Sequence, residues 1–307
     1  MSRPKVVVAE AIADVAIETL DTWCDVDVAV GADRDELIAA LGDAVALLVR
    51  SATQVDAEMI AAAPMLEVIG RAGVGLDNID IDAAEARGIV VVNAPDASTI
   101  SAAEHTMALL LAQARRIPEA DASLRAGRWD RKELAGVELY GKTLGILGLG
   151  RIGAQVAQRA AAFGMRIIAF DPFVGDDQAE ALGAELAGLD DVLAEADFLT
   201  IHAPRSPDTE GLIDAEALAK MKPSARIVNV ARGGIIDEDD LAAAIANGTI
   251  AGAALDVFET EPVTESPLFE LSQVVVTPHL GASTHEAQHR AGASVVEAVI
   301  AALGAGN

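Results

Sequence analysis

Cysteine is nearly missing from this chain. The lone Cys24 excludes an internal disulfide and a cysteine-built metal site, and its expected role is that of a small buried hydrophobe. Lysine is almost as scarce: Lys5, Lys132, Lys142, Lys220 and Lys222 are the whole set. With 22 basic residues against 48 acidic ones the formal charge is −26, which argues against nucleic acid or an anionic membrane as a partner. No apolar run approaches the roughly 20 residues of a membrane span. The opening SRPKVVVAE lacks the pattern of a cleavable signal, so a cytoplasmic location is expected. Internal repeats and low-complexity tracts are also lacking. What is abundant is apolar surface, 52% of 307 residues, enough for the cores of two ordinary domains.

The most informative stretch is 143–171, TLGILGLGRIGAQVAQRAAAFGMRIIAFD. A short apolar run leads into Gly148, Gly150 and Gly153, and Ile152, Val156 and Ala160 follow at helical spacing. The order is strand, glycine turn, helix. Gly148 permits the tight turn, Gly150 lets backbone amides approach a pyrophosphate, and Gly153 lets the helix pack closely on the strand. The helix N-terminus then offers its unpaired N–H groups to the anion. A second apolar strand ends in Asp171, 18 residues beyond Gly153. A carboxylate there accepts the ribose hydroxyls of the adenosine half and repels a 2′-phosphate, so NAD is expected rather than NADP.

Before this fingerprint, apolar strands at 5–9, 26–30, 44–49, 68–69 and 90–92 alternate with helical patterns, which implies a parallel sheet covered on both faces. Arg50 and Ser51 follow one strand and Gly73-Val74-Gly75 another, at the sheet edge where open α/β folds bind ligands. The glycine backbone there is flexible enough to turn N–H groups toward an anion. A surface ion pair for Arg50 and a plain tight turn for the glycines are the alternatives. Residues 98–115 read as one long connecting helix, inside which His105 is expected to be a satisfied packing residue rather than a ligand. The irregular segment 127–142, with Trp129 and Tyr140 beside Arg128, Arg131 and Lys132, is either a contact with a second subunit or a loop folded on its own chain.

After Asp171, strands are expected at 198–201, 226–230, 251–255 and 274–276. These give six strands in all, with a last helix at 284–303. Three polar residues follow three of these strands: Arg232 in NVARGG, Glu261 in LDVFETEP and His279 in VVVTPHLGAS. Hydride exchange between NAD and a hydroxy acid needs a base for the hydroxyl proton, a cation for the carboxylate, and a group that orients the base. Histidine, arginine and glutamate match these roles in that order, and Glu261 beside His279 would raise the histidine pKa.

GLGRIG, IVNVARGGIID, ALDVFETEP and TPHLGAST resemble the signature blocks of the D-isomer-specific 2-hydroxyacid dehydrogenases. RSATQVD, RAGVGLDNID, VVNAP and SAAEHTMALLLA resemble most closely the branch of that family that oxidises 3-phosphoglycerate. The resemblance runs from about residue 5 to residue 300. It implies Arg232, Glu261 and His279 as catalytic residues. Cofactor contacts follow at Gly148, Gly150, Arg151, Ile152, Gly153, Asp171, Val230, Ala231, Asp256, Gly281 and Ala282, and substrate contacts at Arg50, Ser51, Gly73, Val74, Gly75 and Gln288. It further implies an α/β fold of two doubly wound parallel-sheet domains. A Rossmann NAD-binding domain (99–283) would be inserted into a smaller flavodoxin-like substrate domain (1–98 and 284–307), with a homodimer, or a homotetramer, formed through the NAD domain. No metal is expected. Members of that branch usually continue into a further segment and often a serine-binding module. This chain therefore reads as a catalytic portion without one, either a truncated fragment or a minimal form, and feedback by serine is not expected. The implied activity is NAD-dependent oxidation of 3-phosphoglycerate to 3-phosphohydroxypyruvate. A glyoxylate or hydroxypyruvate reductase, and an NAD-sensing corepressor on the same fold, are the competing expectations.

The acid excess has two open explanations, adaptation to a salty cytoplasm or the ordinary bias of an alanine-rich, GC-rich coding sequence. Melting temperature against KCl separates them. Salt adaptation predicts a continuing rise toward molar KCl as carboxylate repulsion is screened, and a flat curve overturns it.

Overall fold

Residues 3–304 are described in a computed structural model of the chain, and they form two units, each built on its own parallel sheet. The outermost residues of the expected substrate domain, 1–2 and 305–307, lie outside the described residues. The first unit comprises the residues up to Thr99 together with those from Ala282 onward; the second is Ile100–Gly281. In chain order the first contains β1 (Lys5–Val8), α1 (Asp14–Trp23), β2 (Asp25–Val28), α2 (Arg34–Ala40), β3 (Ala46–Val49), α3 (Ala57–Ala62), β4 (Val68–Arg71), α4 (Ile81–Ala86) and β5 (Val90–Asn93). At the boundary starts α5 (Thr99–Ala114), followed by α6 (Ile117–Arg125), β6 (Thr143–Leu147), α7 (Arg151–Ala162), β7 (Arg166–Phe170), α8 (Asp176–Ala181), β8 (Ala184–Leu186) and α9 (Leu189–Glu195). Then come β9 (Phe198–Ile201), α10 (Ala215–Lys220), β10 (Arg226–Asn229), α11 (Glu238–Ala246), β11 (Gly252–Leu255) and β12 (Val274–Val276), and α12 (His285–Gly304) returns to the first unit.

The first sheet has the order β2-β1-β3-β4-β5 with every pair parallel. Its strands read as continuous apolar runs because both faces are covered. Alternate residues feed opposite cores, as the two-residue period of a strand requires. Val7, Leu47, Val49 and Ile69 pack with Leu37, Met59 and Ile60 on one side. Val6, Val8, Leu48 and Val68 pack with Leu20, Cys24, Val295, Val296 and Val299 on the other. Cys24 is thus the buried free thiol that its solitude implied.

The second sheet has seven strands, all parallel, in the order β12-β11-β10-β9-β6-β7-β8. The six expected strands are all there. The seventh, β8, is the correction: its sequence is only Ala-Glu-Leu, too short for a periodic signal. The order turns back between β6 and β9, and that is the switch point where α/β sheets open a crevice for a ligand. Two helices also escaped expectation. α6 starts after Arg116 in the left-handed region (φ 53°) and is set by Pro118 in its first turn, and α8 is a single polar turn and a half.

Many of the surplus carboxylates work locally. Asp33, Asp56, Asp80, Asp214 and Asp237 cap α2, α3, α4, α10 and α11, each accepting a hydrogen bond from a first-turn backbone N–H. Each such cap satisfies an N–H that the helix start leaves without an intrahelical partner.

The first unit's two chain segments meet tightly at Gly70 of β4. A Cβ there would lie 2.7 Å from Val299 Cγ2 and 3.0 Å from Val295 Cγ2 of α12. Both neighbours are β-branched and stiff. Gly70→Ala should therefore destabilise by about 1–3 kcal/mol, the usual cost of overpacking, and Val299→Ala in the same chain should recover part of it. Urea unfolding of the single and double variants checks this; additive losses would refute the contact.

Candidate active site

Because every strand of the second unit runs the same way, the residues that follow β6, β7, β9, β10, β11 and β12 share one edge of the sheet. After β6, Gly148 takes φ +92°, and a Cβ there would meet His202 O at 2.7 Å. Gly153, in the first turn of α7, has no room for a Cβ either, since Gly148 O would lie 2.1 Å away. Gly150, the N-cap of α7, faces open space, with nothing within 4 Å of where a Cβ would stand. The three glycines thus divide into turn, approach and close packing. Arg151 is exposed and Ile152 half-buried at the start of α7. Asp171 stands beside the glycine turn: its Oδ2 accepts from Leu149 N at 2.7 Å and its Oδ1 from Phe173 N at 2.8 Å. An uncovered helix N-terminus, a glycine with empty space above it and a fixed carboxylate one strand away are the parts a dinucleotide's pyrophosphate and ribose require.

On the other side of the switch point lie Arg232, Glu261 and His279. Asn229 holds the turn after β10, its Nδ2 donating to Arg232 O (2.9 Å) and its Oδ1 accepting from Ala231 N (3.0 Å). The following Gly233 is pressed against the turn after β11, where a Cβ would fall 1.8 Å from Phe258 O. That close approach brings the Arg232 loop against the segment that carries Glu261. Glu261 Oε1 accepts from Phe258 N at 3.0 Å, and Oε2 meets His279 Nδ1 at 2.6 Å. Such a short contact is that of a charge-assisted bond. The bond from Glu261 holds the His279 pKa above the ordinary imidazole value against the opposing effect of burial, while Arg232 is near enough to push it down. Burial alone would raise the Glu261 carboxyl; the bonds from His279 and the Phe258 amide bring it below the usual range. With Nδ1 engaged by Glu261, Nε2 is the nitrogen left for proton exchange.

Among the described residues, His279 is also one of two non-glycine residues with positive φ, at 55°. A non-glycine residue in that region costs on the order of 1–3 kcal/mol and persists only where its surroundings hold it. The holder is Asp256. Its side chain is fully buried after β11, and its carboxylate accepts from Thr277 Oγ1 (2.5 Å), Leu280 N (2.7 Å) and Gly281 N (2.7 Å), while its own carbonyl accepts from His279 N (2.8 Å). His105 of α5 adds its Nε2, 3.2 Å from Asp256 Oδ1 and 3.0 Å from Thr277 Oγ1. Burial would raise the Asp256 pKa, and these donors, His105 and Thr277 first, carry it below the usual value. His105 is thus a satisfied residue of an apolar helix, as its place in the sequence suggested, and the partner that satisfies it is a buried carboxylate. The Asp256 carboxylate and the Gly281 N–H, at positions implied as cofactor contacts, bind each other within this loop, and a Cβ on Gly281 would lie 2.8 Å from Val230 Cγ1. Val230 is buried and Ala231 half-buried.

In the first unit, Arg50 and Ser51 follow β3. Glu10, which gave no signal in the sequence, clamps that turn by accepting from the backbone N–H groups of Arg50 (2.9 Å), Ala52 (3.2 Å) and Thr53 (2.9 Å). Asn78 closes it from the other side, donating to the carbonyls of Arg50 and Thr53. Ser51 is exposed, and Arg50 Nη1 reaches Ala11 O at 3.2 Å. Gly73, Val74 and Gly75 are half-buried after β4. The Gly73 N–H donates to Arg71 O at 2.8 Å, so that amide is not the anion donor expected of it. Asn93 fixes Val74 O at 2.6 Å. Gln288 is exposed in the first turn of α12, and Ala282 is exposed just before it. Among the described residues no cluster of metal ligands occurs, and no helix is long and apolar enough to cross a membrane.

Residues 107–281 match the family model described as D-isomer specific 2-hydroxyacid dehydrogenase, NAD binding domain. The chain belongs to the D-isomer specific 2-hydroxyacid dehydrogenases, and its second unit is the NAD-binding domain of that family. It is 59% identical over 303 residues to a D-3-phosphoglycerate dehydrogenase of Mycobacterium tuberculosis, covering 99% of this chain and 57% of the relative. A D-3-phosphoglycerate dehydrogenase of Methanocaldococcus jannaschii is 52% identical over 296 residues, covering 96% and 56%. The chain thus spans a little over half the length of these relatives. Among solved structures, a glyoxylate reductase from Paecilomyes thermophila superimposes with a TM-score of 0.90 at 30% identity, over 100% of this chain and 97% of that one.

The His279–Glu261 pair carries a signed pH dependence. The raised histidine contributes stability fully below about pH 6.5 and loses it as pH rises through its elevated folded value; the lowered glutamate contributes above about pH 4.5 and loses it as pH falls through its depressed one. A double-mutant cycle of His279→Asn and Glu261→Gln, read as melting temperature, should show its largest coupling between about pH 4.5 and 6.5 and a smaller one at pH 9. A coupling independent of pH would contradict the ion pair.

Proposed function

We propose that this chain catalyses the NAD-dependent oxidation of 3-phosphoglycerate to 3-phosphohydroxypyruvate. The observation that carries this is the 2.6 Å His279–Glu261 pair, on the same sheet edge as Arg232 and the glycine turn. Extensive identity to relatives named for that oxidation supports it. When bound, NAD supplies the hydride acceptor. Gly148, Gly150 and Gly153 with the α7 amides would hold its pyrophosphate and Asp171 its ribose.

His279 Nε2 takes the proton of the substrate's C2 hydroxyl as the C2 hydride leaves, and Glu261 keeps the imidazole aimed and compensates the charge it gains. Arg232 binds the carboxylate and holds the carbonyl that forms. In the first unit, Arg50, Ser51, the amides of Val74 and Gly75, and Gln288 are the proposed phosphate and carboxylate contacts. The phosphate is what separates this function from reduction of glyoxylate or hydroxypyruvate, which needs the same three residues and no phosphate contact. A homodimer formed through the NAD-binding domain belongs to the same proposal. It is supported by Trp129 and Tyr140, each 79% exposed.

Steady-state kinetics test it. kcat/KM for 3-phosphoglycerate should exceed that for unphosphorylated D-glycerate at least tenfold, and equal efficiency would favour the reductase. His279→Ala should cost about 10²- to 10⁴-fold in kcat, the usual contribution of a placed base. A loss below tenfold would remove His279 from the role. In Glu261→Gln the acid limb of the oxidation profile should move to lower pH, because the group that raises the His279 pKa is gone.

A further inference from the structure

The geometry points to His105 as a positioning residue: through Asp256 and Thr277 it fixes the backbone of the loop that presents His279, without itself meeting substrate or cofactor. The inference rests on the proposed function insofar as His279 is the base.

The protons can be placed. The Asp256 carboxylate only accepts, and Thr277 has one hydroxyl hydrogen, committed to Asp256 Oδ1 at 2.5 Å. The Thr277 oxygen and Asp256 Oδ1 are both acceptors toward His105, so Nε2 carries the proton and divides it between them, at 3.0 and 3.2 Å. His105 thereby completes a ring of donors around a carboxylate with no exposure of its own. Thr277 Oγ1, Leu280 N and Gly281 N bind that carboxylate on both sides of His279 in the chain. The His279 N–H is bound as well, to Asp256 O at 2.8 Å and Thr277 O at 3.1 Å. The left-handed φ of 55° at His279 is what this enclosure maintains.

The Thr277, Leu280 and Gly281 donors to the carboxylate all belong to the segment after β12. Of the described donors to the carboxylate, His105 is the one that comes from elsewhere, on α5, 151 residues before Asp256. α5 is anchored in the core of the second unit by Ala103, Met107 and Leu110, on either side of His105. A helix packed on the sheet thus gives the catalytic loop a fixed external reference. Without His105 the Thr277 hydroxyl keeps one partner and the buried charge loses a donor, so the loop has reason to relax toward an ordinary φ. A displacement of about 1 Å in a reacting group can cost about 10²-fold in rate.

The test compares His105→Leu, which fills the space and removes the donor, with His105→Gln, whose side-chain amide can place an N–H near the Nε2 position. Thr277→Val is a second route to the same loosening if His105→Leu fails to fold. Expected are a fall in kcat of at least tenfold in His105→Leu and Thr277→Val, recovery to within about threefold of wild type in His105→Gln, and KM for the hydroxy acid within about twofold throughout. The imidazole resonance of His279, identified by its loss in His279→Ala, should be single in the wild type and broadened or doubled in His105→Leu. A His105→Leu or Thr277→Val enzyme within threefold of wild type overturns the inference, and so does a His105→Gln enzyme as impaired as His105→Leu, which would reduce His105 to packing. If the wild-type chain shows no NAD-dependent turnover, the proposed function fails instead. The resonance then decides alone: an unchanged single signal in His105→Leu overturns the clamp, and a doubled one supports it.

Discussion

A parallel sheet delivers all of its strand ends to one edge, and this constraint makes the second unit a place where chemistry can gather. Gly148, Asp171, Arg232, Glu261 and His279 are scattered over 131 residues of chain, yet each directly follows a strand of one sheet or lies in the loop after it. From β7, where Asp171 sits, to β11, which leads to Glu261, is four strand spacings, roughly 19 Å at ~4.8 Å each. Ribose recognition and proton transfer are thereby held apart along a single crevice by backbone hydrogen bonding, before any side chain is chosen.

What the side chains add is fixity. Two acceptors show this best: Glu10 gathers three N–H groups of the turn after β3, and Asp256 gathers the loop after β12. In both cases a carboxylate bound to several backbone amides turns an irregular loop into a rigid one, and several such bonds offset the cost of burying the charge. The −26 formal charge is therefore not only a solvated surface. Part of it caps helices and part of it builds the loops on which the candidate site stands.

Much of this is legible from the residues. The glycine fingerprint, the acidic residue after the next strand and the three polar strand-end residues are local patterns with a physical meaning, and the apolar alternation suffices for two doubly wound sheets. What escapes does so for identifiable reasons. β8 is three residues long and α8 is six, four of them polar, so neither shows a period. Glu10 and Asn78 act on backbone atoms some 25 to 43 residues away, a pairing no local pattern announces. His105 reads as satisfied and is so, but an apolar helix does not announce that its partner is a carboxylate from the other end of the domain. The Gly73 amide, expected to face an anion, is drawn inward to Arg71 O by a turn that glycine spacing alone does not specify.

The central claim is that one sheet edge holds both a dinucleotide and the proton-exchanging pair of His279 and Glu261. The most direct measurement is a crystal structure of the chain with NADH and 3-phosphohydroxypyruvate. The account predicts the pyrophosphate over Gly150 at the start of α7, the adenosine ribose on Asp171, and the nicotinamide between Arg232 and His279 with Nε2 directed at the substrate oxygen. A dinucleotide bound elsewhere, or an imidazole turned away from the reacting carbon, would contradict it.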